Sequence, residues 1–529
     1  MHAGHLIAGR DVSTGTGTFE AIAPATGDAL APAFLEAGPS EADAALRAAS
    51  EAFESYRALP AAERARFLRR IATEIEALGD ALLERTMQET ALPEARLTGE
   101  RARTTTQLRM FADLLDDGAW MGVRIDRADP NRRPLPKPDL RRTVLPLGPV
   151  VVFGASNFPY AFSTAGGDTA SALAAGCPVV VKGHPAHPGT SAMVAGAIAA
   201  AAQACGVHPG VFGHLQGTSH ELGRALVTHD LTAAVGFTGS LRAGRALFDA
   251  AASRGVPIPV YAEMGSVNPV FVLPGALAER AETIAAGLVA SATLGVGQFC
   301  TNPGLVLTVD GDGAQRLLDA AATAVRGVDP GTMLYGGVCS AFRDGVERLA
   351  ATPGVEVVGR SAADPDPERT EAAAWVLTTD AATFTADATL AQEVFGPATL
   401  VVRAPDVDAL IDLARGLDGQ LTASIHATDD DLAQHGSLVL ALERIAGRLV
   451  FDGYPTGVEV AHATHHGGPY PAATDVRSTS VGTAAIERFV RPVSFQDAPD
   501  AVLPPELRDD NPLGVWRLVD GQLTREALR

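Results

Sequence analysis

Lysine is almost missing from this chain of 529 residues, which has only Lys137 and Lys182. Arginine supplies the rest of its 42 basic residues, against 62 acidic ones, for a formal net charge of −20. A surface of that sign repels phosphate backbones and anionic bilayers, so neither nucleic acid nor a membrane is an expected partner. No apolar run reaches the ~18 residues of a membrane-spanning helix. The opening MHAGHLIAGRDVS has no basic segment followed by a long apolar one. No secretory signal is therefore expected, and the cytoplasm is the expected compartment. Cysteine occurs four times, at Cys177, Cys205, Cys300 and Cys339, with no CxxC pair. This spacing suggests neither a disulfide framework nor a zinc module. The GxGxxG fingerprint of dinucleotide sites is absent after the first strand of the α/β region.

What is present is ordinary globular composition, 47% hydrophobic and 20% charged. The length is too great for one hydrophobic core, so two or three domains are expected. Short strands with glycine turns begin the chain. From PSEADAALRAASEAFESYRAL the period becomes helical, with Ser40 as the expected N-cap and Asp43 three residues on. Helical patterns run to about Met121. DRADPNRRPLPKPDLRR, 126–142, is too rich in proline for a helix and reads as an extended arm or linker.

Residues 149–263 alternate apolar strands (GPVVVF, PVVVK, GVFGHLQ, AAVGFTG, IPVYAE) with helices. That pattern predicts a parallel sheet covered on both faces, with Pro257 and Pro259 pushing the last strand to an edge. A second α/β region follows, with NPVFVLP, LVLTVD, ATLVVRA, LTASIHA and RLVFDG as strands and DVDALIDLARGL and DLAQHGSLVLALERIAG as helices. The tail after about Arg491 is proline-rich and weakly patterned.

Cysteine context separates two kinds of thiol. Cys177, in AAGCPVVV, sits in an apolar run as a packing residue does. Cys300, in ATLGVGQFCTNPG, stands among glycines and amides. It is either a small core residue at a turn or a thiol to which backbone and ligand come close. In a doubly wound sheet ligands bind at the carboxyl ends of the strands. GASNFP, KGHPAHPG, GFTGS and AEMGSVNP fall at such ends. In GFTGSLRAG the helix N-terminus at Ser240 offers a phosphate seat. HATHHGG, with His462, His465 and His466, has no carboxylate or cysteine at ligating spacing, and His184 and His187 are no better placed. No metal is expected.

Six of these segments, SNFP (156–159), VVVK (179–182), GFTGS (236–240), EMGSVNP (263–269), GQFCTNPG (297–304) and EVFGP (393–397), resemble the aldehyde dehydrogenase superfamily in content and order. The resemblance covers about residues 5 to 490. Within the superfamily, FGASNFPYAFSTAGGDTASALAAGCPVVVKGHPAHPGTS looks most like the α-ketoglutaric semialdehyde (2,5-dioxopentanoate) dehydrogenases, with NADP-dependent fatty aldehyde dehydrogenases close to the same pattern. The resemblance implies an α/β fold with three parts. They are a Rossmann-like doubly wound cofactor domain (1–127 and 148–264), an α/β catalytic domain (265–473) and a bridging β arm for oligomerisation (128–147 and 474–495). Residues 496–529 remain as a C-terminal extension. It implies Cys300 as nucleophile, Glu263 as the base that activates water, and the Asn157 amide with the Cys300 N–H as oxyanion donors. Lys182 would meet the adenosine ribose, Gly239 and Ser240 the pyrophosphate, and Glu393 and Phe395 the nicotinamide riboside. Pro185 stands where NAD-preferring relatives often carry a ribose-binding glutamate. NADP is thereby admitted and favoured, with NAD the other cofactor. The substrate tunnel would be lined by Phe158, Phe162, Phe299 and Val458. The implied substrate is a small-molecule aldehyde, 2,5-dioxopentanoate ahead of a fatty or other aliphatic one. A cysteine acyl-transfer or thioesterase protein without redox chemistry is the remote alternative. The arm implies a homodimer or homotetramer.

Overall fold

In a computed structural model that describes residues 2–528, strands of the first α/β region send alternate side chains to two different cores. Val150, Val152, Val179 and Val181 join the core under the helices Ala61–Ala77, Glu94–Asp117 and Pro188–Cys205, while Val151, Val180 and Val235 join the one under Pro39–Arg57 and His220–Thr228. A strand buried on both faces has no position for a polar residue, which is why VVVF and VVVK are unbroken. Each such valine contributes about 1.5–3 kcal/mol when withdrawn from water.

The sheet order is Val260–Glu263, Ala234–Thr238, Val150–Phe153, Val179–Lys182, Phe212–Leu215, all parallel, then His5–Ile7 and Arg10–Val12 antiparallel. Val260–Glu263 does lie at the edge, just past Pro257 and Pro259, which cannot donate to a ladder. A second seven-stranded sheet runs Glu356–Arg360, Trp375–Asp380, Ala398–Ala404, Leu305–Val309, Val270–Val272, Gln420–His426, Ala446–Phe451. It is parallel except at Glu356–Arg360. It divides its side chains in the same way, Leu305 and Leu307 to one core and Val306 to the other.

A third sheet, of five strands, pairs Val490–Gln496 with Leu140–Pro146 over seven residues, then adds Arg124–Asp126, Arg517–Val519 and Gln522–Thr524. The tail is thus woven into the same sheet as 140–146, and Leu503, Leu507 and Val519 close a small core with Val123 and Ile125.

Two local expectations need correction. The first helix is capped at Gly38, not Ser40. Pro39 occupies the first helical position, where its fixed φ suits the turn, and the Glu41 carboxylate accepts the Gly38 N–H at 2.9 Å. DLAQHGSLVLALERIAG is two helices, Asp429–Gln434 and Gly436–Ile445, broken at His435.

Candidate active site

Three successive residues ahead of the cysteine turn left-handed: Gly295, Val296 and Gly297, with φ of 56°, 57° and 65°. A β-branched residue there is strained, so the turn is held from outside. A Cβ on Gly297 would lie 2.3 Å from the Gly396 carbonyl, so GQFC and EVFGP can pack only through a glycine. Asn302 Nδ2 donates to the Gly396 carbonyl at 3.0 Å. From the other side Asn268, itself at φ 47°, donates Nδ2 to the carbonyls of Cys300 (2.9 Å) and Asn302 (3.0 Å). The thiol therefore sits on a loop pinned at both shoulders. Asn268 lies within EMGSVNP, and its hold on the cysteine loop leaves no local mark in the sequence.

Glu263 ends the edge strand Val260–Glu263 of the first sheet, and the second sheet carries Cys300 on the loop leading into Leu305–Val309. The two meet at His466, whose Nε2 lies 3.6 Å from Cys300 Sγ and 3.1 Å from Glu263 Oε1. One nitrogen thus faces both the thiol and the carboxylate. Ser480 Oγ closes on the other Glu263 oxygen, and Thr479 Oγ1 accepts the His466 backbone N–H at 2.8 Å. Burial alone would raise the Glu263 carboxyl. The His466 charge, with hydrogen bonds from His466 and Ser480, overrides it and leaves Glu263 below the usual carboxylate range. Burial likewise works against a charged His466, yet Glu263 and Cys300 hold its proton and its pKa rises. Sequence spacing gave no reason to link His466 to either partner, because they are joined only by the fold. The expectation that no metal binds rested on that same spacing. Glu263, Cys300 and His466 do bring three potential ligand atoms within 4.8 Å of one another, with His466 and Glu263 turned on each other.

Asn157 follows the strand Val150–Phe153, and its Nδ2 donates to the Gln298 carbonyl at 3.1 Å, leaving one amide hydrogen free beside the cysteine loop. Phe158, Phe162 and Phe299 stack edge-on (centroids 5.3 and 5.4 Å apart) and, with Val458, wall a cavity of about 330 Å³ that reaches Cys300. All four expected tunnel residues line it. So do Arg96 and Arg103, which sequence did not single out.

The expected cofactor residues sit at the carboxyl ends of the first sheet or across from it. Ser240 caps the helix Leu241–Ala252, its Oγ accepting the Ala243 N–H at 3.3 Å, and Gly239 precedes it against the Phe237 ring. Lys182 ends a strand two spacings away, about 10 Å. Burial draws it down to about 8, with Glu36 opposing. Pro185 follows in a loop where His184 accepts the Ala186 N–H and His187 bonds to Ala155 O and Ser191 Oγ. His187 thus commits both ring nitrogens and His184 its Nδ1. Glu393 presses on Gly265, where a Cβ would come within 2.6 Å of its Oε2, and burial pushes its carboxyl up to about 7. Phe395 lines the same recess as Glu393. A half-buried cation, a helix N-terminus and a recessed carboxylate fit the ribose, pyrophosphate and nicotinamide ends of a dinucleotide.

Among the described residues no helix is long and apolar enough to cross a membrane. Comparison with known proteins agrees with the geometry. The chain is 51% identical over 519 residues to α-ketoglutaric semialdehyde dehydrogenase 2 of Azospirillum brasilense, covering 98% of each chain. It is 45% identical over 525 residues to α-ketoglutaric semialdehyde dehydrogenase of Acinetobacter baylyi, again 98% of each. Among solved structures it superimposes on 1-pyrroline-5-carboxylate dehydrogenase from Thermus with bound NAD (TM-score 0.78, 22% identity, 94% of this chain and 92% of that one). PnpE in complex with nicotinamide adenine dinucleotide gives TM-score 0.79 at 22% identity, over 94% and 99%. With residues 12–467 also matching the model of the aldehyde dehydrogenase family, the thiol, carboxylate and dinucleotide cleft have one common explanation: the chain belongs to that family and is an NAD(P)-dependent enzyme acting on small-molecule aldehydes.

Proposed function

We propose that the chain oxidises 2,5-dioxopentanoate to 2-oxoglutarate through a covalent adduct on Cys300. The observation that carries this is the meeting of Cys300, His466 and Glu263 at the end of an aromatic cavity that also contains arginine. The names of the two near-full-length relatives supply the substrate.

Cys300 Sγ loses its proton to solvent and, beside the charged His466 Nε2 that favours the thiolate, adds to the aldehyde carbon. The oxyanion of the thiohemiacetal falls to the free hydrogen of the Asn157 amide and the Cys300 N–H. Bound NAD(P) supplies the hydride acceptor that converts this adduct to a thioester. Glu263, kept ionised by His466, then takes a proton from water, which attacks the thioester and frees the acid and the thiol. The family's division of the chain is adopted with it: cofactor domain 1–127 and 148–264, catalytic domain 265–473, arm 128–147 and 474–495. The edges of the arm sheet, Val490–Gln496 and Gln522–Thr524, have ladder groups open to a second copy, giving a homodimer or homotetramer.

The testing experiment is the initial rate of cofactor reduction with 2,5-dioxopentanoate and with a medium-chain alkyl aldehyde, each with NADP and with NAD. The dioxo acid should exceed the alkyl aldehyde at least tenfold in kcat/KM, about 1.4 kcal/mol of discrimination. The reverse order makes the enzyme an aliphatic aldehyde dehydrogenase. No reduction with any aldehyde restores the redox-free acyl-transfer reading.

NADP is the proposed preference, because Pro185 removes the carboxylate that would repel a 2′-phosphate. Lys182 is then the cation nearest that phosphate. It is charged below its lowered pKa of about 8 and neutral above it. The KM for NADP should therefore rise several-fold between pH 7 and 9, and that for NAD much less. Parallel pH curves for the two cofactors would remove Lys182 from phosphate recognition.

A further inference from the structure

Along the helix Glu94–Asp117, Arg96, Gly99, Glu100 and Arg103 all face the cavity over Cys300, as spacings of three, four and seven require. Arg96 is committed. Its Nη1 is 2.5 Å from Glu100 Oε2, and its Nη2 donates to the Asn157 carbonyl at 3.4 Å. Glu100 is committed too, its Oε1 accepting the N–H groups of Tyr160 and Ala161 at 2.9 Å each. Their charges cancel, and the pair holds the loop that carries Asn157.

Arg103 differs. Its Nε and Nη2 are buried with no hydrogen-bond partner among the described residues. Its guanidinium carbon lies 5.7 Å from the Phe158 ring centre and 5.4 Å from that of Phe162, so aromatic faces stand where an anion would be expected. Burial lowers its pKa, with Glu100 and Cys300 opposing from a distance. A half-buried guanidinium with two nitrogens withdrawn from water and no hydrogen-bond partner is costly until an anion reaches it. Gly99 lies one turn away with open space where its Cβ would be, so this stretch of the cavity wall is cleared of side chain.

We propose that Arg103 is the counter-ion for the far carboxylate of the substrate, so that the cavity selects short aldehydes ending in a carboxylate over uncharged ones of equal length. This rests on the function proposed above and names the residue that reads the acid. Four C–C bonds of ~1.5 Å place the carboxylate carbon of an extended five-carbon oxo acid roughly 5 Å from its aldehyde carbon. The phenylalanines hold the chain between these ends, and the guanidinium fork matches a carboxylate in two hydrogen bonds.

The test compares the full-length wild type with Arg103→Met and Arg103→Lys, at saturating NADP, on 2,5-dioxopentanoate and on pentanal. The quantity read is the ratio of the two kcat/KM values. In the wild type it favours the acid. In Arg103→Met it should fall at least 100-fold, about 2.7 kcal/mol, chiefly through KM for the acid, and Arg103→Lys should restore part of it. A residue that merely supports Phe158 and Phe162 would slow both substrates together. A ratio within threefold of wild type in Arg103→Met therefore overturns the role of Arg103 and leaves the proposed function standing. A wild-type ratio at or below one overturns both. Should Arg103→Met fail to fold, the wild type decides: glutarate should compete with pentanal and neutral glutaramide should not, and equal effects of the two overturn the proposal.

Discussion

Cys300→Ala should lower aldehyde oxidation by about 10⁴-fold or more, the scale on which enzymes lose activity with their nucleophile. NADP affinity should stay within twofold. The contrast follows from the layout. The thiol is carried by the loop before Leu305–Val309 in the second sheet, and Lys182, Gly239 and Ser240 end strands of the first. Alanine keeps the backbone that Asn268 and Asn302 pin, and the Cys300 N–H with it. Only the atom facing His466 is lost. Initial rates of cofactor reduction and a fluorescence titration with NADP measure the two arms. A variant keeping more than a tenth of wild-type turnover would remove Cys300 as the nucleophile. Loss of NADP binding in parallel would mean that the substitution had damaged the fold instead.

The sequence carried the first sheet well because its strands are buried on both faces, and a run such as VVVK admits little else. Even the edge position of Val260–Glu263 was marked, by two prolines. It carried the tail badly. Arg517–Val519 is three residues long and pairs in parallel with Leu518 against Arg124, nearly four hundred positions away, so no local period announces it. The first helix was misplaced by two residues because a proline start outranks a serine cap.

The site divides along the same line. The glycines around Cys300 were legible as a demand for close approach, and Gly297 against Gly396 is that approach. His466 and Arg103 were not legible. One sits in a run of histidines that fails every local ligand spacing, and the other in ERARTTTQ, where an arginine on a helix is usually solvated. Each acquires its role only from a neighbour that folding brings near, Glu263 and Cys300 for His466, the phenylalanine walls for Arg103.

Glu263→Gln should cut steady turnover by about 10²- to 10³-fold, the usual worth of a general base, while a burst of reduced cofactor near one per active site survives. Glutamine cannot take the proton from water, so thioester accumulates after the first hydride transfer. It also removes the charge that sustains the His466 proton, and burial then favours the neutral imidazole, which can accept the thiol proton. Addition of the thiol thus persists while hydrolysis fails. His466→Asn should do the reverse. The burst slows because the positive imidazole 3.6 Å from Sγ, which favours the thiolate, is gone. Glu263 also loses the partner that lowered its pKa, and burial, the largest influence on it, now raises it. A carboxyl with a raised pKa is protonated and idle on the acid side, so turnover of His466→Asn should climb with pH through the neutral range where the wild type is flat. Stopped-flow traces and pH–rate profiles separate the roles. If Glu263→Gln abolishes the burst, Glu263 acts before hydride transfer, and a flat profile for His466→Asn would mean that His466 does not govern the charge on Glu263.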